Sequence, residues 1–477
     1  MKKLHVFFLS LILIFGFAVR LYKFDNPIAD WHSWRQADTS SVSRMFVQNG
    51  FNLFVPTYQD ISNIASGFEN PHGYRFVEFP IYNALQAGLF VTIGGLTLEG
   101  WGRLVTIIAS LSTSFLLFLL VRRYLDSRTA LFASFFYTFL PYSIYYGRTL
   151  LPDTTMVAAS IAGIFFFDTY VRSLLKKEKR QWVFFTLSII FCAAALLLKP
   201  FAVFILLPIG YIVFKNNVLF NWKVLLIGIL SILPLVAWRL WMQNFPTGIP
   251  VSEWLLNGGN VRFQPSFFYW VFDHHISKFI LGNFGFGLIV AGLFKKAKEK
   301  DYFFSFAFLL SALLYIFIVA RGNLQHDYYQ IVIIPAIALF LARGVSSLLE
   351  FTDTTNKIIG FLALPIILFL MFFSSWFAVR DYFNINNSEI VSAGKKADSI
   401  LPKDAKVIAP QDGSTVFLYY TGRQGWPAFT EPIEGLIEKG ATHLVIAAPT
   451  KNDFSGFGTQ YKIIASSQDY LILVLKK

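Results

Sequence analysis

Long apolar runs succeed one another along this chain, and they constrain its fold more than any other feature. Several reach or approach the roughly 20 residues that a helix needs to cross a bilayer. Hydrophobic residues make up 55% of the 477 and charged residues only 14%, where soluble domains average about 25% charged. The chain therefore reads as a polytopic α-helical membrane protein.

A net charge of +13 raises nucleic acid as a partner, but the placement of the charge argues otherwise. The basic residues gather in a few short loops between apolar runs, as the positive-inside rule requires. The first run, about residues 4–22, follows Lys2 and Lys3 and ends in Arg20-Leu21-Tyr22-Lys23. No small-residue cleavage site follows it, so it reads as a retained first span rather than a signal peptide. The run at 80–96 is short and ends in Gly94-Gly95. If it lies in or dips into the membrane, Arg122, Arg123 and Arg128 become cytoplasmic and the later loops obey the same rule. With that choice, further spans are expected at about 101–121, 129–147, 153–171, 182–198, 200–214, 223–243, 277–294, 302–320, 329–347 and 357–378. The total is eleven, with basic cytoplasmic loops at 172–180 and 295–300 and the C-terminus outside. The lone cysteine, Cys192, sits inside an apolar run and reads as a core residue, with no disulfide framework or thiol metal site.

Two segments depart from the apolar texture. Residues 23–80 form a long polar first outer loop containing Asn70-Pro71-His72-Gly73. The patch from Val42 to Val47 suggests short amphipathic helices lying in the interface. From about residue 381 hydropathy falls. Short β-rich runs at 406–409, 443–447, 462–465 and 470–475 alternate there with helical stretches near 388–400 and 432–439. This reads as a small α/β domain, residues 381–477, outside the membrane and following a transmembrane domain of residues 1–380.

The first loop opens with Asp30-Trp31-His32-Ser33-Trp34-Arg35-Gln36-Ala37-Asp38-Thr39, a dense mixture of titratable, hydrogen-bonding and aromatic groups. On the expected topology Glu78, Arg148, Asp153, Lys199, Arg321, His326, Tyr328 and Tyr329 fall on the same outer face. Ionisable groups at membrane depth are costly and so mark function. Each also fits a plainer role. Asp30 or Asp38 suits a helix N-cap, Arg148 and Asp153 a structural ion pair, and Lys199 a snorkelling side chain. His326 suits an ordinary loop, and Tyr328 and Tyr329 an aromatic belt. The pair His274-His275 lacks a closed ligand set, so no metal site is expected.

Several motifs in this order resemble a known group. They are His32-Ser33-Trp34-Arg35-Gln36, Glu78-Phe79-Pro80 before an apolar stretch, Arg103 entering a span that ends in Arg122-Arg123-Tyr124, Tyr146-Gly147-Arg148 with Pro152-Asp153, and His326-Asp327-Tyr328-Tyr329. They are similar to the GT-C glycosyltransferases of the protein O-mannosyltransferase and aminoarabinose transferase superfamily. The bacterial members with a His-x-Trp-Arg-Gln first loop come nearest in texture. Over residues 1–380 the resemblance implies a polyprenyl-phosphate sugar donor and an acceptor reached from outside: lipid A, a glycan, a cell-surface polymer or a protein. It implies a plasma (inner) membrane location, no cofactor and no nucleic-acid partner.

The resemblance further implies a first-loop aspartate as base. The group's usual Asp-Glu pair before a Ser-Arg step is replaced here by Asp30 upstream and Asp38 downstream of Arg35. Asp30 is the first choice because it lies nearest the end of the first span, with Asp38 second and His32 sharing the role. Arg35, Arg148, Lys199 and Arg321 are the cations for a leaving lipid phosphate. Glu78, Asp153, His326, Tyr328 and Tyr329 are expected to shape the substrate site. A transporter or flippase of lipid-linked glycans is the alternative from another class. Such proteins tend to show repeated halves with polar groups near the midplane, and no repeat is visible here. A structural or sensory membrane protein would leave the first-loop cluster unexplained.

Overall fold

The computed structural model describes residues 3–295, 302–354 and 357–475. Of the expected basic loop at 295–300, Lys295 alone lies within them. The helices begin with α1 Lys3–Arg20, α2 Ser33–Asn49, α3 Ile81–Ile93, α4 Leu98–Tyr124 and α5 Ser127–Phe139. Next come α6 Pro141–Tyr146, α7 Pro152–Leu175, α8 Gln181–Leu198, α9 Ala202–Ile205, α10 Pro208–Lys215 and α11 Trp222–Met242. Then follow α12 Trp254–Asn257, α13 Pro265–Phe268, α14 Gly285–Phe294, α15 Tyr302–Ile318, α16 Ala320–Gln325, α17 Ile334–Thr354 and α18 Lys357–Val379. The C-terminal region holds α19 Ser388–Ile400, α20 Val416–Thr421, α21 Ile433–Glu438 and α22 Lys451–Gln460. Its strands are β1 Lys406–Ile408, β2 Gln424–Trp426, β3 His443–Ala447, β4 Lys462–Ser466 and β5 Tyr470–Val474.

The chain divides into two compact units. The first comprises Met1–Phe24, Leu104–Trp238 and Ser252–Tyr382; the second comprises Asp25–Arg103, Arg239–Val251 and Phe383–Lys477.

The first unit is helical. Among the described residues of the whole chain, seven helices are long and apolar enough to cross a membrane, or eight if one bent pair counts as a span. This is the architecture of a multi-pass membrane protein. Other expected crossings are shorter or broken, for local reasons. The run at 129–147 divides into α5 and α6 at Pro141, which has no N–H to continue the ladder. Leu140 before it is extended, at φ −52 and ψ 126, as a residue preceding proline prefers. Pro208 likewise opens α10 after the four-residue α9. The run at 277–294 bends by 105° between residues 265–280 and α14, where Gly282 and Asn283 both take positive φ. Cys192 is buried in α8. Not every basic residue is simply a loop charge. Buried Asp168 accepts from Arg123 Nη1 at 2.7 Å and from Arg172 Nε at 2.9 Å.

The second unit joins the first long loop to the C-terminal α/β region. Its five strands run in the order β2-β1-β3-β5-β4. β1 is parallel to β2 and β3, while β5 is antiparallel to β3 and β4. One sheet face is sealed by Ile408, Trp426, Leu436, Leu444, Leu471 and Leu473. The four expected β runs and the helices near 388–400 and 432–439 are all present. β2, α20 and α22 are too short or too polar to have stood out by pattern.

Ile61 of the first loop joins that same core. Its N–H donates to Gly425 O, and the Gly425 N–H donates to Gln59 O, both at 3.0 Å. The segment at 59–61 thus extends the sheet beyond β2. Gly425 is required by the close approach of β1, since a Cβ there would lie 1.7 Å from Val407 O. Gly425→Ala should therefore destabilise this region by about 3 kcal/mol, the upper end of ordinary overpacking costs. Hydrogen exchange on the full-length protein checks it: amides of β1 and β2 should lose protection, and unchanged protection would refute the packing argument.

α2 differs from the amphipathic patches expected in the first loop. It is one helix of seventeen residues, and its buried positions from Arg35 to Phe46 are largely polar. A polar seam holds it to α3. Ser43 Oγ donates to Gln86 Oε1 at 2.7 Å, Asn83 Nδ2 to Thr39 O at 2.6 Å, and Gln86 Nε2 to Ser40 Oγ at 3.1 Å. Tertiary bonds, not helix propensity, sustain this Ser/Thr-rich stretch.

Candidate functional site

The second unit carries a recess of about 260 Å³, partly open to solvent, lined by Arg35, Asp38, Thr39, Arg75, Glu78 and Asn83 with Val42, Pro56, Val77 and Pro80. Two guanidinium–carboxylate pairs dominate it. Arg35 Nη2 donates to Glu78 Oε1 at 2.6 Å, and Arg75 Nη2 donates to Asp38 Oδ2 at 2.5 Å. The Glu78 side chain is 8% exposed, and its Oε2 is buried with no hydrogen-bond partner among the described residues. A buried carboxylate oxygen left so is costly, and it can accept from a donor group that enters the recess.

Local chain geometry brings Arg75 there. The turn at Asn70–Gly73 is closed by Gly73 N–H donating to Asn70 O at 2.9 Å, with Gly73 at φ +62, where L side chains are strained. The chain returns so that Thr57 bridges Tyr74, and Arg75 N–H donates to Pro56 O at 2.9 Å. This sets the Arg75 guanidinium 4.8 Å from the Tyr58 ring centre. Tyr58 in turn donates to Asp60 Oδ2 at 3.2 Å.

Burial raises the Asp60 carboxyl above its ordinary range, and bonds from Ser62 offset this only in part. Burial pulls the Arg75 guanidinium down, but Asp38 together with Tyr58 and Glu78 more than offsets it and holds Arg75 above its ordinary value. Burial, reinforced by Asp60, raises the Tyr58 hydroxyl well above its ordinary range. One firmly charged Arg75 thus faces two acids, of which Asp38 makes the ion pair.

Five of the expected first-loop residues lie in this unit. Arg35, Asp38 and Glu78 line the recess; Asp30 and His32 are not among its lining residues. Asp30 is 5% exposed and its Oδ1 accepts from Gln36 Nε2 at 2.7 Å. His32 is the residue before α2, at φ +53, with its ring centre 5.1 Å from that of Trp31. Asp38 does not cap α2, because it lies within the helix, and the residue at the N-cap position, His32, makes no side-chain cap.

The remaining expected residues lie in the first unit. Lys199 Nζ donates to Asp153 Oδ1 at 2.7 Å, and both side chains are under 10% exposed. The same ammonium stands 5.5 Å from the ring centres of Tyr328 and Tyr329, within reach of a cation–π attraction. The His326 ring stacks on both tyrosines, at 5.5 and 6.1 Å. Asp153 Oδ2 is buried without a hydrogen-bond partner among the described residues. Arg148 is buried and donates from Nη1 to Lys23 O at 2.7 Å. Arg321 faces the Gln325 side-chain amide, whose oxygen, once turned toward it, accepts from Nε and Nη2 at 3.2 and 3.1 Å.

Sequence reasoning passed over several residues that the structure makes prominent. Arg75 and Asp60 carry no motif, and only the turn before Arg75 hinted at their meeting. Asp327 stood inside the quoted His-Asp-Tyr-Tyr run without a role. Its Oδ1 accepts from the Tyr146 hydroxyl at 2.8 Å, its Oδ2 from the Tyr382 hydroxyl, and its backbone oxygen from the Tyr142 hydroxyl at 2.6 Å. Among the described residues no group of three or more His, Cys, Asp or Glu side chains is placed to hold a metal ion.

Comparison with known proteins bears on both units. Residues 80–241 match the family described as dolichyl-phosphate-mannose-protein mannosyltransferase. A search of curated proteins finds no match. The fold matches the crystal structure of ArnT from Cupriavidus metallidurans bound to undecaprenyl phosphate, with TM-score 0.65 at 11% identity, covering 98% of this chain and 97% of that one. It also matches the archaeal oligosaccharyltransferase AglB from Archaeoglobus fulgidus in complex with an inhibitory peptide and a dolichol-phosphate. There the TM-score is 0.61 at 11% identity, covering 95% of this chain and 70% of that one. At such identities the likeness is one of fold. The resemblance to GT-C glycosyltransferases read from the motifs is thereby matched by a family segment and by the architecture.

Proposed function

We propose that this protein, with a mannosyltransferase-family segment on an ArnT-like fold, is an inverting glycosyltransferase. It moves a sugar from a polyprenyl-phosphate donor to an acceptor on the outer face of the membrane. The observation that carries the reading is the first-loop recess, where Asp38 and Glu78 are each held by a guanidinium and Glu78 keeps one oxygen uncommitted. An acceptor hydroxyl attacks the anomeric carbon, the bond from that carbon to the phosphate oxygen breaks, and the hydroxyl proton passes to a carboxylate. A single displacement inverts the centre and needs one base, not a nucleophilic pair.

In this reading Asp38 is the base in preference to Asp30, because Asp38 lines the recess and Asp30 is not among its lining residues. Glu78 orients the acceptor, and His32 stands at the head of the helix that carries Asp38. Arg35, Arg148, Lys199 and Arg321 are assigned to the charge of the lipid phosphate. Asp153, His326, Tyr328 and Tyr329 shape the substrate's surroundings. The chain crosses a plasma (inner) membrane eleven times, residues 1–380 form the transferase domain, and residues 381–477 stand outside the cytoplasm. Lipid A, a glycan, a cell-surface polymer and a protein are the acceptor classes to test.

Turnover in proteoliposomes offered a panel of polyprenyl-phosphate sugars with candidate acceptors tests the proposal. The expected result is release of polyprenyl phosphate together with a glycosylated acceptor of inverted anomeric configuration. Intact donor throughout, with lipid-linked sugar carried across the bilayer instead, would overturn the transferase in favour of a flippase.

A further inference from the structure

Thr415 stands immediately before α20, at the N-cap position, where a threonine hydroxyl normally accepts from a backbone N–H of the first turn. Here the side chain makes no such cap. Its Oγ1 donates instead to Asp38 Oδ1 at 2.6 Å and lies 3.4 Å from Trp34 O. Asp38 is therefore gripped on both oxygens, Oδ2 by Arg75 and Oδ1 by a residue 377 positions away in sequence. The segment that delivers Thr415 is itself fastened to the first loop. The Tyr419 hydroxyl is 2.9 Å from Ser40 Oγ, Arg44 Nη1 donates to Tyr419 O at 2.5 Å, and Gly425 pairs with Gln59 and Ile61.

From this diverted hydroxyl we propose that Thr415 is a positioning residue for the Asp38 carboxylate, so that the C-terminal α/β region completes the first-loop site. The inference rests on the reading of Asp38 as the base. A carboxylate inside a helix, pinned at both oxygens, keeps one rotamer and presents its remaining lone pairs in a fixed direction. The charged and titratable groups around Asp38 are Arg75, Arg35, Glu78, Asp60 and Tyr58, and Thr415 is the neutral donor among them.

The test compares the full-length reconstituted protein with Thr415→Val and Thr415→Ser, each also in an Asp38→Asn background. Thr415→Val should lower kcat roughly tenfold or more, as loss of a hydrogen bond to a charged group does, with donor KM nearly unchanged. Thr415→Ser should restore kcat. Wild-type kcat in Thr415→Val, a loss shared equally between kcat and donor KM, or a serine variant as impaired as the valine one, would overturn the proposal. Unfolding gives an independent arm through wild type, Thr415→Val, Asp38→Ala and their double variant, since alanine keeps no acceptor for the threonine: coupling between positions 38 and 415 is expected, and strict additivity would refute the contact. Should Asp38→Asn turn over at the wild-type rate, the base assignment fails, and the positioning role falls with it even if unfolding confirms the contact.

Discussion

Asp38→Asn lowers sugar transfer by roughly 10²–10⁴-fold, the range that a positioned general base contributes, and leaves the protein folded. Asparagine has nearly the same shape and its oxygen still accepts from Thr415, so the helix it sits in need not move. What it loses is the proton-accepting charge and the strong bond from Arg75. A buried guanidinium that loses its partner is ordinarily costly, but Asp60 lies near enough to interact with Arg75 and limits that penalty. Asp30→Asn is the internal control. Asp30 meets Gln36 and does not line the recess, so its loss should cost far less turnover. The assay is single-turnover release of polyprenyl phosphate, with thermal unfolding alongside. A dead Asp30→Asn beside an active Asp38→Asn would return the base to Asp30.

The buried pair Asp153–Lys199 yields the second large effect, this time on stability. Lys199→Met removes the ammonium and leaves the Asp153 carboxylate buried without its cation. Breaking one side of a buried pair costs about 3–5 kcal/mol. The double change Asp153→Leu with Lys199→Met removes both charges and should recover most of that loss, since apolar replacement of a buried pair is often neutral or better. Thermal unfolding in detergent checks the stability. Turnover of the double variant then separates two roles for Lys199. A folded double variant with a raised donor KM supports the assignment to lipid phosphate. Wild-type turnover would leave Lys199 a structural residue and remove it from the phosphate-binding set.

Much of the candidate site was legible because its residues crowd into short stretches. Asp30, His32, Arg35 and Asp38 fall within nine positions, and Glu78 stands just before an apolar helix; their chemistry can be seen without knowing their contacts. Choosing between Asp30 and Asp38 was another matter. Nearness to the end of the first span favoured Asp30; the proposal of Asp38 rests on its place in the recess and on its partners, and partners are not local. Arg75 is 37 residues from Asp38 and Thr415 is 377. Arg75 arrives through a glycine turn and a short bridge, and Thr415 through a sheet that the first loop itself extends. The eleven expected crossings met a similar limit. Hydropathy averages over a window and does not register that Pro141 and Pro208 break the helical ladder within a run, or that Gly282 and Asn283 turn one run by 105°.

By itself the sequence determined the membrane class, the polar first loop and the C-terminal strands and helices. Each is a property of composition or period over a few to about 20 neighbouring residues. Only the tertiary structure decided which carboxylate is paired with which guanidinium, that α2 is held by a buried polar seam to α3, and that Thr415 spends its hydroxyl on Asp38 rather than on its own helix. Those choices are settled by hydrogen-bond geometry between segments far apart in the chain, because a buried polar group must find a partner wherever the fold brings one.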